Sequence, residues 1–226
     1  MNLLKSMIRV GILAMLLTVS VVGTALATPF TVTAQLTGDP RAANPDGIIV
    51  DVTITGDTTS NFVTWLVDLN SPLHPGATLA EFAFNVLTPF GTSYTFSGFN
   101  PAGWNITSLA NNVPGSGSMD FNFLSADPPG SRNNVTNLQS LTFTMTNTAP
   151  GSFFTSNSFW GASCSTSSDA ALGCSQMGAH VRSLTDGASG FAVGDYTTTV
   201  PEPGSMLLLG LGLFALGLMR KDRQTK

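Results

Sequence analysis

Between Thr28 and Thr199 this chain of 226 residues contains no lysine. Three basic residues, Arg41, Arg132 and Arg182, stand there against eleven acids, a net of −8 where the whole chain carries −4. Without clustered Lys and Arg to neutralise phosphates, the segment is excluded as a nucleic-acid binder. Histidine is almost missing too, with only His74 and His180. No Gly-x-Ser-x-Gly elbow, no His-Glu-x-x-His helix and no phosphate-cradling glycine loop is present, so no enzyme signature is legible. No stretch of this middle segment carries an apolar stripe at the 3.6-residue helical period.

What is present alternates with a period of two. Phe30–Leu36, Ile48–Thr55, Phe62–Leu69, Leu79–Leu87, Ser93–Phe96, Met119–Leu124 and Leu138–Thr146 are short runs rich in Val, Ile, Phe and Thr, as half-buried strands require. Turn formers separate them, among them Asn44-Pro45-Asp46-Gly47, Pro101-Ala102-Gly103 and Asp127-Pro128-Pro129-Gly130. The pattern predicts one all-β domain over residues 28–199, an antiparallel β-sandwich or jelly-roll-like ectodomain.

Aromatic-x-aromatic pairs recur at Phe82/Phe84 and Phe121/Phe123, with Phe143/Met145 as a variant. Residues i and i+2 share one face of a strand, so these pairs and Trp65 are expected in the core. Trp104 and Trp160 lie among glycine and turn residues. They are the candidates for exposed stacking against a sugar ring, which would make the domain a carbohydrate-binding module. Cys164 and Cys174 enclose nine residues. In an exported chain an even cysteine count favours a disulfide, here stabilising by about 2.5–3 kcal/mol through loop closure. No metal or cofactor is called for by a motif. Asp39, Asp46, Asp51 and Asp57, with Asn44, fall close enough in sequence to offer oxygens to a structural calcium, although they lack EF-hand spacing. His74 sits in turn sequence and is expected to be solvated.

Both ends of the chain read as addresses. Lys5 and Arg9 precede the mostly apolar run Val10–Val22, and Ala25-Leu26-Ala27 offers the small-x-small site of a signal peptidase. Residues 1–27 are therefore expected to be a signal peptide, with Thr28 the mature N-terminus. At the other end, Pro201, Glu202 and Pro203 precede an uncharged run, Met206–Met219, and then a basic stop at Arg220 and Lys221. Those 14 residues would extend about 21 Å as a helix, against a bilayer core of about 30 Å. The span is short, suited to transient tethering, and the basic cluster should stay cytoplasmic.

The tail at 200–226 resembles the PEP-CTERM sorting signal of Gram-negative bacteria, carried by Pro201-Glu202-Pro203, the Leu/Gly/Phe-rich segment and the Arg220–Lys221 stop. A weaker resemblance to the ends of such ectodomains covers Gly178–Leu184 and Gly190-Phe191. The resemblance implies export, tethering to the inner membrane by the apolar helix, and processing near Pro201–Pro203 by an exosortase, a membrane protease/transpeptidase. It implies final residence at the cell surface, in the outer envelope or in an extracellular polysaccharide matrix. The expected function is that of a non-enzymatic envelope or matrix protein. A carbohydrate-binding module is the alternative, and a secreted hydrolase the third.

Overall fold

The computed structural model describes residues 27–37, 47–87, 93–110, 119–126, 134–166 and 173–199. The expected signal peptide through Leu26 and the sorting tail from Val200 onward lie outside them. Among the described residues, thirteen strands and one short helix follow in order: β1 (Pro29–Thr37), β2 (Ile49–Asp57), β3 (Phe62–Leu69), β4 (Thr78–Phe84), β5 (Tyr94–Asn100), β6 (Asn105–Ala110), β7 (Phe121–Ala126) and β8 (Leu141–Asn147). Then come α1 (Asn157–Trp160), β9 (Ser165–Thr166), β10 (Cys174–Ser175), β11 (Met177–Arg182), β12 (Gly190–Gly194) and β13 (Thr197–Thr199).

The all-β, antiparallel character expected from the alternation is what the structure has. Eleven strands form one sheet in the order β5-β8-β3-β2-β1-β12-β11-β4-β7-β6, with β13 also paired to β1, and β9 and β10 make a separate hairpin. β1 joins two arms: it pairs along its whole length with β2, and on its other side with β13 and, at Thr37, with Val193 of β12.

The arms face each other. Trp65 on β3 lies 4.4 Å from Phe84 and 6.0 Å from Phe82 on β4 (ring centroids), although these strands are far apart in the sheet order. Phe96 on β5 likewise meets Phe123 on β7 at 5.3 Å. The period-two pattern supplies the inner face: Phe30, Val32, Ala34 and Leu36 from β1, Val50, Val52 and Ile54 from β2, Leu141, Phe143 and Met145 from β8. Burying one such large side chain stabilises by about 1.5–3 kcal/mol. Phe82/Phe84 and Phe143/Met145 sit in this core, as expected. The third pair divides: Phe123 joins the main core, while Phe121 packs with Met119, Phe191 and Ala83 in a second cluster. Ala83 alternates with Phe82 and Phe84, so β4 is buried on both faces.

The outward side of the other arm is rich in threonine, interrupted on β3 by the exposed Phe62 and Leu66. Thr31 faces Thr55, Thr55 faces Thr64, and Thr64 faces Thr144 across four adjacent strands. Such β-branched hydroxyl residues fit a pleated surface that is wet on one side.

Candidate functional site

Two regions carry chemistry: the end of the folded body that leads into the tail, and the surface beside the disulfide. In the first, the chain leaves β12 at Gly194, where a Cβ would stand 2.5 Å from the Gln35 carbonyl oxygen. Glycine is required there by close backbone approach. Tyr196 then turns inward. It is 4% exposed, and its hydroxyl donates to the Asn85 carbonyl at 2.6 Å. Its amide donates to Gln176 Oε1 at 3.0 Å. Burial pushes the Tyr196 phenol well above its ordinary pKa of 10.0.

Asn85, its partner, is itself fully engaged. Its amide nitrogen donates to Ser163 O and Ser165 Oγ, and its Oδ1 accepts from the Asn122 amide. The end of the domain is thus tied to β7 and to the β9–β10 hairpin. After Tyr196 the chain runs along β1, with Thr197 opposite Thr33 and Thr199 opposite Thr31. Thr197 Oγ1 donates to the Thr33 carbonyl at 3.0 Å and lies 2.9 Å from Thr33 Oγ1. Thr28, the expected mature N-terminus, donates its amide to Thr58 Oγ1 and accepts from the Thr58 amide, each at 3.1 Å. The expected signal cleavage site and the approach to the sorting motif therefore lie at the same end of β1. Ala27 is described; Ala25, Pro201, Glu202, Pro203, Arg220 and Lys221 lie outside the described residues.

In the second region, Cys164 and Cys174 form the expected disulfide, with Cα atoms 5.5 Å apart, closing the β9–β10 hairpin. Trp160, the last residue of α1, is 60% exposed. Gln176 Nε2 donates to the carbonyls of Trp160 and Ala162, fixing α1 against the hairpin. A depression of about 380 Å³ lies between Trp160, the disulfide, Gln176 and the exposed Asp195. Asp195 also borders a second depression of about 470 Å³, floored by Thr33, Gln35, Asp51 and Thr53.

The two tryptophans singled out from sequence thus part company. Trp160 is exposed; Trp104 is not. Only 3% of Trp104 reaches solvent, and its indole Nε1 donates to Asn134 Oδ1 at 2.9 Å. The turn residues before it end at Trp104, and β6, which follows at once, carries the ring into the core. Trp104 is a core residue, and the expectation of a stacking platform there is corrected.

His74 is corrected as well. It is 7% exposed, and its Nδ1 accepts from the Thr185 amide at 3.2 Å, pinning the β3–β4 turn to the β11–β12 loop. His180 stands opposite Glu81 on β4, their Nδ1 and Oε2 atoms 3.6 Å apart, a pair that sequence separation hides. Of the residues proposed for calcium, Asp51 accepts from Gln35 Nε2 and Asn70 Nδ2, and Asp57 caps its own turn through Thr59. Asp39, Asn44 and Asp46 lie outside the described residues. Among the described residues, no group of three or more His, Cys, Asp or Glu is placed to hold a metal.

Comparison with known proteins gives one positive finding. Residues 199–221 match the PEP-CTERM protein-sorting motif. The match begins at Thr199, the last residue of β13, and ends at Lys221 of the basic stop. No curated protein and no solved structure matches the chain. The chain carries the sorting motif, which implies an exported protein handled at the membrane by an exosortase and sorted to the cell surface.

Proposed function

We propose that this is a non-enzymatic surface or matrix protein: a sandwich-like β ectodomain, made with a cleaved signal peptide, held briefly at the inner membrane by residues 206–219, and processed at Pro201–Pro203. The observation that carries the reading is the sorting motif beginning where the ectodomain ends. The lysine-free, threonine-faced exterior supports a role in water and polysaccharide. Support for a non-enzymatic role comes from His74, which is occupied in joining two loops. The same holds for Asp51 and Asp57, whose carboxylates are engaged by neighbouring side chains or by their own turn, and no metal or cofactor enters this reading. The test is peptide-level mass spectrometry of the mature protein from wild-type and exosortase-deficient cells. A C-terminus near Pro203 in the wild type alone is expected; an intact tail in both strains would defeat the proposal.

A second reading, favoured by one observation, is carbohydrate binding. Trp160 is exposed beside Asp195, which also borders the depression lined by Gln35 and Asp51. An aromatic wall for the C–H face of a sugar, with carboxylate and amide groups for its hydroxyls, suits a glycan chain. The acidic lining favours a neutral or amino-bearing polymer over a uronic one. Affinity electrophoresis in neutral and acidic polysaccharide gels distinguishes these, and no retardation in any would remove this reading.

A further inference from the structure

β13 and the sorting motif are too close together for both to be engaged at once. Thr199 is paired with Thr31, and Val200 alone separates it from Pro201. One extended residue covers only about 3.5 Å. A peptide-processing cleft takes its substrate as an extended strand, with backbone groups that must leave their former partners. For any cut at Pro201–Pro203, the upstream part of that strand is β13 itself. Nor can the folded body withdraw from the membrane to make room. Residues 200–205 join Thr199 to the apolar run at Met206, a reach of roughly 20 Å at most.

We propose that β13 is a detachable strand: Thr197–Thr199 leave β1 when the processing enzyme takes up the motif, and Tyr196 is the fixed post at which detachment stops. This rests on the reading of the tail as an exosortase substrate. β13 is built for release. It is a side branch of the sheet, paired to β1 off the main strand path. Its sequence is Thr-Thr-Thr, with no aliphatic or aromatic residue to hold it. The Thr33–Thr197 contacts are exposed, so water replaces them at little cost. One residue earlier the situation reverses: Tyr196 is buried, its hydroxyl held by Asn85 and its amide by Gln176. Freeing three residues adds about 10 Å of reach, while β1 keeps its full ladder with β2.

The test uses the full-length chain in an exosortase-competent host, read by the mass of its C-terminus. Thr33 and Thr197 have hydroxyls 2.9 Å apart, so the double variant Thr33→Cys/Thr197→Cys places two thiols within bridging range. Peptide mapping confirms the new bridge alongside Cys164–Cys174. The locked protein is expected to keep its tail, while each single variant is processed. A flexible Gly/Ser linker of about eight residues between Thr199 and Val200 is expected to restore processing in the locked protein. In the unlocked protein the same linker should speed processing, a readout that needs no engineered bridge. Normal trimming of the locked protein, no rescue by the linker, or an unchanged rate in the linker-only variant would each overturn the detachable strand. A wild-type chain left untrimmed in that host would overturn the sorting reading instead.

Discussion

The Tyr196 hydroxyl donates to the carbonyl oxygen of Asn85, 2.6 Å away and 111 residues earlier in the chain. That bond fixes the point where the folded body hands over to the sorting segment. Tyr196→Phe removes the donor and leaves a buried carbonyl without it, so a loss of about 1–2 kcal/mol is expected in urea denaturation. Asn85→Ala should cost more, since it abandons Asn122, Ser163 and Ser165 together.

The same residue sets an alkaline limit. Burial raises the phenols of both Tyr196 and, less strongly, Tyr94 above 10.0. The folded state therefore holds these protons more tightly than the unfolded chain does. Their contribution is fully present below pH 10 and is lost as pH rises from there toward the folded pKa values. Wild type should lose stability above pH 10, and Tyr196→Phe should lose less over the same interval. Absorbance at the phenolate band during alkaline titration of Tyr94→Phe, which leaves Tyr196 as the one phenol, checks the order of events: phenolate should appear with unfolding and not before it.

Removing the disulfide by Cys164→Ser/Cys174→Ser frees a closed loop of sequence separation 10. The expected cost is about 2–3 kcal/mol, measured as a lower melting temperature. The hairpin also holds one wall of the groove beside Trp160. Any glycan binding should weaken with it, while C-terminal processing, which depends on the tail, should persist.

Trp104 and Trp160 separate cleanly in an alanine test. Trp104→Ala empties a core position and should cost about 3–5 kcal/mol. Trp160→Ala, at an exposed position, should stay within about 0.5 kcal/mol of wild type and abolish polysaccharide retardation if the groove binds glycan. Acrylamide should quench the fluorescence of Trp160 and spare that of Trp65 and Trp104.

Glu202→Ala, or deletion of Arg220 and Lys221, is expected to leave the full-length chain in the membrane fraction. Processing at the wild-type level in both variants would mean that the motif is not read through these residues.

Strands with clean alternation were legible, because burial on one face imposes a period of two; β1, β2, β3 and β8 lie within a few residues of their expected bounds. β6 and β13 were not. Asn105–Ala110 mixes Ile106 and Leu109 with polar residues without a clean alternation, while Thr197–Thr199 is short, polar and held by β1, far away in sequence. Trp104 was misplaced for the same reason. Its burial depends on Asn134, 30 residues on, and the local glycine and turn residues carry no trace of that partner. The disulfide was legible because proximity in sequence and an even count suffice. The His180–Glu81 pair was not, because only the β4–β11 register brings it together.

β1 is the first strand of the domain, yet one side of it is completed only by residues near position 199. Thr33 and Thr197 are 164 positions apart. A chain exported from its N-terminus presents β1 with an open edge until almost all of it has crossed, and an open edge invites wrong partners. Pairings this distant also form slowly. The last hydrogen bonds along β1 therefore wait for the end of the ectodomain, the residues that lead directly into the sorting motif.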